Sequence, residues 1–329
     1  MRRFLLLSLL ALSACSEAPC GIIFDTDWWT DVDDVCALRT MLHAEREGDI
    51  RLLGVCLSAV DSSSVPSLSS YLAYEGRKGL PVGADKLAVD FPGSPCWRDV
   101  ILEAVPEREV SSMDDVDDAV TFYRKILSKE RKPVDIVAVG FPNALSRLLE
   151  SGPDEWSPLP GRELVSRKVR HLWMMAGQYP EGKEHNFALS RRSREAGAAV
   201  CSDWPTGITF LGYEVGIRLR LGGNLPEDDL LHKVLAVHGS AAGRYAWDPL
   251  TAWMACLNSP EAAGFETVSG MVSLDPESGE NHFSYSENGP HRYVVMARDS
   301  VWYARQFIPI LGEEASLPAD HLQDEPQGH

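Results

Sequence analysis

The chain has 329 residues, of which 44% are apolar, and its formal net charge is −17. This length suits one large or two small domains with a substantial apolar core. The acidic excess argues against a nucleic-acid backbone as a partner, because binding phosphates requires clustered Lys and Arg. Neutral or cationic small molecules fit this composition better.

The first fifteen residues have the features of an export signal. Arg2 and Arg3 precede an apolar stretch, Phe4–Leu12, that is too short to span a bilayer. The following Leu12-Ser13-Ala14-Cys15 resembles a bacterial lipobox. We therefore predict a lipoprotein-type signal peptide over residues 1–14 and an exported, periplasm-facing protein that contacts the membrane only through a lipid on Cys15. Ordinary secretion or a short membrane anchor is the alternative.

The rest of the chain divides into three predicted parts. A tether covers residues 15–21, a single domain covers residues 22–313, and a polar tail covers residues 314–329. Six cysteines follow Cys15, and none of them has CxxC spacing. The absence of CxxC spacing argues against a zinc site and against thiol catalysis.

Short apolar runs alternate with amphipathic segments along the domain. The runs that predict buried strands are Ile22–Phe24, Leu52–Leu57, Val134–Val139, Val169–Met175 and Ile208–Leu211. Helical spacing occurs in Val35–Arg46, Ser67–Arg77, Val116–Lys129, Ala144–Glu150 and Ser190–Cys201. The alternation predicts an α/β fold with a doubly wound, mostly parallel central sheet flanked by helices. After Phe265 the pattern changes and predicts a C-terminal β-hairpin and a helix near Ser300–Leu311.

Five aspartates follow the first predicted strand, at positions 25, 27, 31, 33 and 34. Carboxylates this close repel one another unless a cation neutralises them, and a hard divalent ion with oxygen ligands is the usual solution. Gly140-Phe141-Pro142-Asn143 follows the strand Val134–Val139. In a doubly wound sheet both segments lie at the carboxyl ends of strands and face one crevice. The sequence therefore indicates a metal-dependent enzyme.

Several motifs, taken together, resemble the inosine-uridine preferring nucleoside hydrolases. Asp25-Thr26-Asp27 followed by Asp33-Asp34-Val35-Cys36-Ala37-Leu38 is similar to the amino-terminal signature of that family. Val139–Leu149 is similar to its Gly-Pro-Leu-Thr-Asn segment, and Met174-Met175-Ala176-Gly177 with Glu184-His185-Asn186-Phe187 is similar to its Met-Gly-Gly and Glu-x-Asn stretch. Ala246-Trp247-Asp248-Pro249-Leu250 stands where the family has a late His-Asp or Trp-Asp. The resemblance covers about Ile22 to Ala262.

The resemblance implies a calcium-dependent hydrolase that cleaves the N-glycosidic bond of a ribonucleoside or related N-riboside into ribose and free base. It implies Ca²⁺ ligands at Asp27, Asp34, Asp248 and the main-chain carbonyl of Asn143, with Asp27 activating the metal-bound water as the catalytic base. It also implies substrate contacts from Asp33, Asp61, Glu184, Asn186 and Trp247. Family members are often dimers or tetramers, so a homo-oligomer is an open expectation.

The sequence departs from the family pattern near the leaving group. Trp247 replaces the histidine that protonates or positions the departing base, and an indole cannot act as a general acid near neutral pH. His185 is the nearest substitute, although alternation between Glu184 and Asn186 predicts that it points away from the site. Trp28 and Trp29 replace the Pro-Gly or Met-Gly of the family, and we expect them either to narrow the pocket or stack on the ligand, or to pack under the loop.

Two alternatives come from other protein classes. Phe24-Asp25-Thr26-Asp27 resembles the nucleophile strand of the haloacid dehalogenase phosphohydrolases, although Trp29 stands where that family has Thr or Val. A calcium- and riboside-binding lipoprotein without catalysis is the other, because Trp247 and Ala144 replace family residues.

Overall fold

The computed structural model describes residues 19–89 and 93–313. The predicted signal peptide, the lipid on Cys15 and the polar tail lie outside the described residues. Within the described ranges no helix is long and apolar enough to cross a membrane, and the six cysteines from Cys20 to Cys256 are free thiols. The first strand begins at Cys20 rather than at the predicted domain boundary, Ile22.

Thirteen strands occur in the described part of the chain. They are β1 Cys20–Thr26, β2 Ile50–Leu57, β3 Val82–Ala84, β4 Asp117–Asp118, β5 Val134–Ala138, β6 Val169–Met175, β7 Glu181–Lys183, β8 Gly207–Leu211, β9 Arg220–Leu221, β10 Arg244–Tyr245, β11 Phe265–Leu274, β12 Glu280–Tyr285 and β13 His291–Met296. All five predicted strands are present, and β6 has the predicted bounds.

Eleven of these strands form one sheet in the order β4-β3-β2-β1-β5-β6-β8-β13-β11-β12-β7. The strands from β4 to β13 run parallel, and β13, β11, β12 and β7 pair antiparallel. The predicted C-terminal hairpin is part of a three-stranded antiparallel segment, in which β11 pairs with both β12 and β13. Strands β9 and β10 form a separate ribbon. The fold class predicted from the sequence is therefore confirmed.

Twelve α-helices of the described chain flank the sheet. They are α1 Asp33–Glu47, α2 Ser64–Tyr74, α3 Trp97–Ala104, α4 Ala119–Lys129, α5 Asn143–Glu150, α6 Gly161–Lys168, α7 His185–Ala188, α8 Arg191–Asp203, α9 Tyr213–Gly216, α10 Leu230–His238, α11 Trp247–Cys256 and α12 Ser300–Leu311. A single 3-10 turn covers Met113–Asp115. The predicted final helix, α12, has the expected bounds.

Strand β1 lies at the centre of the core. Ile22 and Phe24 belong to the apolar cluster on one face of the sheet, and Ile23 belongs to the cluster on the other. This follows from the alternation of side chains along a strand. All three are fully buried, and burying each contributes about 1.5–3 kcal/mol. These residues therefore fix β1 between two helical layers.

The chain order reverses at β1, because β2 pairs with it on one side and β5 on the other. In open α/β sheets the crevice at such a reversal, at the carboxyl ends of the strands, is where ligands bind. Helix α1 packs against α11 above this edge. The packing brings the first turns of two helices, distant in sequence, to the end of β1.

Candidate active site

A glycine allows the ends of β1 and β5 to meet. A Cβ added at Gly140 would overlap the backbone nitrogen of Asp27 and the hydroxyl of Ser58. The backbone after β5 can therefore approach the loop after β1 only because residue 140 has no side chain. The Ser58 hydroxyl completes the junction by accepting a hydrogen bond from the Phe141 nitrogen at 3.0 Å.

Three carboxylates converge where α1 and α11 begin. Ligand oxygens of Asp33, Asp34 and Asp248 lie within 4.8 Å of one another, and the three residues are 2%, 1% and 6% exposed. The main-chain nitrogen of Asp248 donates to Asp33 Oδ2 at 3.1 Å, which links the two helices. Calcium–oxygen distances of about 2.3–2.6 Å put two ligands of one ion at most about 5 Å apart. The spacing of the three side chains therefore fits a single cation.

Asp33, Asp34 and Asp248 line a cavity at this end of the sheet, and Asp27 completes its acidic wall. It follows β1 directly, is 8% exposed, and accepts a hydrogen bond from the Trp29 nitrogen at 3.1 Å. The sequence predicted Asp27 as a ligand and Asp33 as a ribose contact, whereas the geometry groups Asp33 with Asp34 and Asp248. The assignment of Asp27 as a cation ligand and of Asp33 as a ribose contact stays a prediction.

Burial makes this cluster electrostatically costly without a counter-charge. It raises the pKa of Asp27, Asp33 and Asp248 well above their ordinary range, and neighbouring aspartates raise it further. For Asp34 burial raises the pKa to about 6, opposed by hydrogen bonds from the Thr26 hydroxyl and the Trp28 nitrogen. A bound cation would stabilise the ionised carboxylates and would therefore lower these pKa values. The donor set is all oxygen, as a hard ion requires.

Two tryptophans hold the loop between β1 and α1 in the core. Trp28 is fully buried, packs edge-on against Trp97 at 5.4 Å between ring centroids, and donates from its indole to Ser67 at 3.1 Å. Its φ of 49° lies in the left-handed region. Trp29 is 6% exposed, and neither ring lines the cavity. Of the two expectations for these residues, packing under the loop is the one the structure supports.

Arg98 supports this loop from below. The fully buried guanidinium donates to the main-chain oxygen of Trp28 and to Asp61 Oδ2, the latter at 2.6 Å. Its positive charge lowers the pKa of Asp27 and of Asp34, against the larger effect of burial. Asp61, predicted to touch ribose, therefore pairs with Arg98 and does not line the cavity.

The opposite wall of the cavity comes from the start of α7. Glu184 caps this helix and accepts from the Gly177 and Asn186 nitrogens at 2.9 and 2.8 Å. Burial raises its pKa to about 7, although these donors oppose the shift. The Asn186 amide donates to the Val139 carbonyl oxygen at 2.8 Å, which ties α7 to the end of β5. Both side chains line the cavity, as predicted.

His185 lines the same cavity, so the expectation that it points away is wrong. That expectation assumed strand alternation, whereas the chain starts a helix at His185. Its imidazole stacks against Trp29 with 6.5 Å between ring centroids. Partial burial lowers its pKa, so the ring is neutral at pH 7.

Aromatic side chains form the outer wall. Trp247 stacks on Tyr213 with ring centroids 5.5 Å apart, and Tyr245 packs at 5.2 Å on the same indole. The Trp247 indole donates to the Tyr213 carbonyl oxygen at 2.8 Å, so this N–H is already engaged. Arg244 pairs with Asp31 and lies over the Trp247 ring at 5.3 Å. Asp31 is thus a paired rim charge. Tyr213, Arg244 and Tyr245 were not predicted from the sequence.

Two other residues considered in the sequence analysis, Asn143 and Asp25, do not line the cavity. Asn143 begins α5, and its amide donates to the Ser58 carbonyl oxygen at 3.0 Å. It does not line the cavity, and its role as a main-chain ligand stays a prediction. Asp25 is fully buried, accepts from the Tyr123 hydroxyl at 2.6 Å, and has its pKa raised to about 8 by burial. Asp25 therefore braces the end of β1.

Comparison with solved structures identifies the architecture. An inosine-uridine preferring nucleoside hydrolase from Bacillus anthracis is 15% identical, with a TM-score of 0.64 over 88% of this chain and 98% of that one. The plant nucleoside hydrolase PpNRh1 is 15% identical, with a TM-score of 0.68 over 89% and 99%. The chain has the nucleoside hydrolase fold. The type III effector XopQ, solved with adenosine diphosphate ribose, is also similar to it, with 15% identity and a TM-score of 0.63 over 90% and 93%.

The nucleoside hydrolase fold is shown by structure and not by sequence. Neither protein-family models nor curated proteins give a match to the sequence. The family resemblance read from the motifs is thus confirmed at the level of the fold, along nearly the whole length of the neighbours. The haloacid dehalogenase alternative gains no support from these neighbours.

Proposed function

We propose that this protein is a calcium-dependent hydrolase of N-ribosides that releases ribose and free base. The observation that supports it best is one cavity of about 440 Å³ that joins the aspartate cluster to Glu184 and Asn186. Carboxylates for a cation and polar groups for a sugar thus face each other across the crevice of a nucleoside hydrolase fold.

The proposed cation ligands come from Asp27, Asp33, Asp34 and Asp248, with the Asn143 carbonyl as a further expectation from the family. Ca²⁺ is the ion favoured by the donor set, because carboxylate and carbonyl oxygens suit a hard cation and no thiol or imidazole is among these ligands. When bound, such a cation supplies positive charge that offsets the buried carboxylates and acidifies a coordinated water.

The chain's own side chains account for the rest of the reaction. Asp27 is the proposed base that takes a proton from the attacking water. Glu184 and Asn186 hydrogen-bond the ribose hydroxyls and hold the sugar as it becomes oxocarbenium-like. The surrounding negative carboxylates stabilise that developing positive charge.

The leaving group is proposed to lie against Trp247 and Tyr213. Their stacked rings offer an aromatic face to a purine or pyrimidine. Because the Trp247 N–H is occupied by a carbonyl oxygen, it cannot serve the departing base. His185 carries the one imidazole among the residues that line the cavity, and its neutral ring can donate a hydrogen bond to a base nitrogen.

Substitution of two carboxylates tests this proposal. Asp27→Ala and Asp248→Ala are each expected to lower turnover by at least about 100-fold, the usual contribution of a positioned proton acceptor or of charge stabilisation. Asp248→Ala is also expected to abolish calcium binding measured by titration calorimetry. Asp114→Ala removes an exposed carboxylate of the 3-10 turn and serves as the control. Full activity of either site variant would refute the site assignment.

The location of the reaction is a further part of the proposal. The sequence of residues 1–15 supports export and a lipid on Cys15. Incorporation of labelled palmitate into the wild-type chain but not into Cys15→Ser is the expected result. Equal labelling of both would refute lipidation at this residue.

A further inference from the structure

A basic surface lies at the opposite end of the sheet from the proposed active site. Five basic side chains line a groove of about 800 Å³, which we call the basal patch: Arg51, Lys129, Arg131, Lys132 and Arg170. Two acidic residues, Asp49 and Glu130, also line it. The patch thus carries an excess of positive charge on a chain whose net charge is −17. Such a local reversal of sign points to an anionic partner.

Two of the five basic side chains form ion pairs within the domain, and the other three lie at the surface. Arg51 pairs with Glu130 at 2.6 Å and Arg170 pairs with the buried Asp135 at 2.6 Å. Lys129 ends α4, Arg131 and Lys132 follow it after Glu130, and all three basic side chains are exposed. Their side chains therefore present positive charge to whatever approaches this end of the domain.

The strands fix the direction in which the patch faces. Arg51 is near the start of β2, Arg170 near the start of β6, and Lys132 just precedes β5. The aspartate cluster lies beyond the other ends of these parallel strands. Strands of five to eight residues at about 3.3 Å each separate the two ends by roughly 20 Å. A surface that binds the basal patch would leave the cavity open.

The chain enters the domain through this patch. Pro19 and Cys20 line the same groove, and Cys15, the predicted lipid attachment site, precedes Pro19 by four residues. Four residues span at most about 14 Å even when fully extended. A lipid on Cys15 would therefore hold the patch within reach of the membrane surface.

We propose that the basal patch is a membrane contact in addition to the predicted lipid on Cys15: it rests on an anionic membrane surface and directs the proposed catalytic cavity away from it. Each basic residue close to such a surface strengthens binding roughly fivefold, and the effect falls off within a Debye length. The cavity would then open toward soluble substrates while the lipid and the patch hold the other end of the domain. This proposal does not depend on the reaction catalysed.

Vesicle flotation of the chain without its lipid tests the patch by itself. Residues 15–329 with Cys15→Ser retain every described residue and exclude both signal peptide and acyl chain. The probes are vesicles of phosphatidylcholine alone and vesicles with one third phosphatidylglycerol, at low and at high salt. Arg131→Glu with Lys132→Glu reverses two charges of the patch. Lys183→Glu with Arg191→Glu, beside α7 at the far end of the domain, makes the same change in net charge.

Binding to the phosphatidylglycerol vesicles that weakens with salt is expected, with none to phosphatidylcholine. The patch variant is expected to bind at least about 25-fold more weakly, from two basic residues at roughly fivefold each, and the control variant like the parent chain. Equal loss in both variants, no binding to anionic vesicles, or binding to a duplex DNA fragment instead would each refute the proposal. The thermal unfolding midpoint of each variant verifies that it is folded, whether or not it has activity.

Discussion

Stabilisation of the protein by calcium is expected to grow as the pH rises from about 5 to about 8. Burial raises the pKa of Asp34 to about 6 and raises those of Asp27, Asp33 and Asp248 well above their ordinary range. These groups hold protons in the folded, cation-free protein at a pH where the unfolded chain has lost them. The contribution of these four groups to the stability of the cation-free protein is therefore greatest at low pH and is lost as the pH rises through their folded-state pKa values.

The magnitude follows from the proton that a cation must displace. Between pH 5 and the Asp34 pKa of about 6, displacing one proton costs about 1.4 kcal/mol. The pKa values of the three other aspartates are also raised by burial, so protons displaced from them add to this. At about 2 °C per kcal/mol for a domain of this size, the calcium-induced rise in Tm should be at least about 3 °C larger at pH 8 than at pH 5.

Thermal unfolding by calorimetry, in chelator and in calcium at each pH, measures both quantities. Asp248→Asn is expected to lose most of the calcium-induced shift, while Asp114→Asn, in the exposed 3-10 turn, should keep it. A calcium shift that is the same at pH 5 and at pH 8 would refute the linkage between these protons and the cation. A full shift in Asp248→Asn would refute the location of the site.

Three further substitutions test the supporting structure. Gly140→Ala should destabilise the protein by about 2 kcal/mol or more in urea denaturation, because its Cβ overlaps the Asp27 backbone; a change within about 0.5 kcal/mol would contradict the close approach. Tyr123→Phe removes a hydrogen bond from the buried Asp25 and should cost about 1–3 kcal/mol, which an unchanged denaturation midpoint would rule out. Trp247→His should raise the initial rate of ribose release from purine nucleosides by roughly tenfold, part of what a general acid contributes; an unchanged rate would mean that leaving-group protonation does not limit turnover.

The parallel half of the sheet could be predicted because its strands are continuous apolar runs. Val169–Met175 forms β6 with the predicted bounds, since Arg167 and Lys168 precede it and Gly177 follows it after one residue. The extension beyond β8 could not be predicted from local pattern. It depends on β13 pairing with β8 across about eighty intervening residues, and periodicity contains no information on such pairing. The short strands β3, β4 and β7 were missed for lack of length.

The acidic half of the site could be predicted because four of its aspartates lie within one loop and its helix. Asp248 was identified only through the family resemblance, and the packing of α1 on α11 shows why it belongs there. Tyr213 and Tyr245 were missed because they come from segments distant in sequence that meet around Trp247. The one available signal was that Arg244 and Tyr245 closely precede the Trp247-Asp248 motif.

Asp61 shows why a match by position is weaker than a match by motif. The resemblance placed it among the substrate contacts, but Arg98, which was not predicted from the sequence, lies beside it and pairs with its carboxylate. This pair holds the Trp28 backbone. The physical environment of Asp61 is therefore set by a buried cation 37 residues further along the chain.

Release of free ribose by the purified mature protein, from a panel of purine and pyrimidine nucleosides, is the decisive test of the proposed hydrolysis. The assay is run after chelation and again after calcium is added back. We expect release of ribose from at least one nucleoside, lost with chelator and restored by calcium. Absence of release from every compound, in protein that still binds calcium and is stabilised by ribose, would contradict hydrolysis and leave a binding protein.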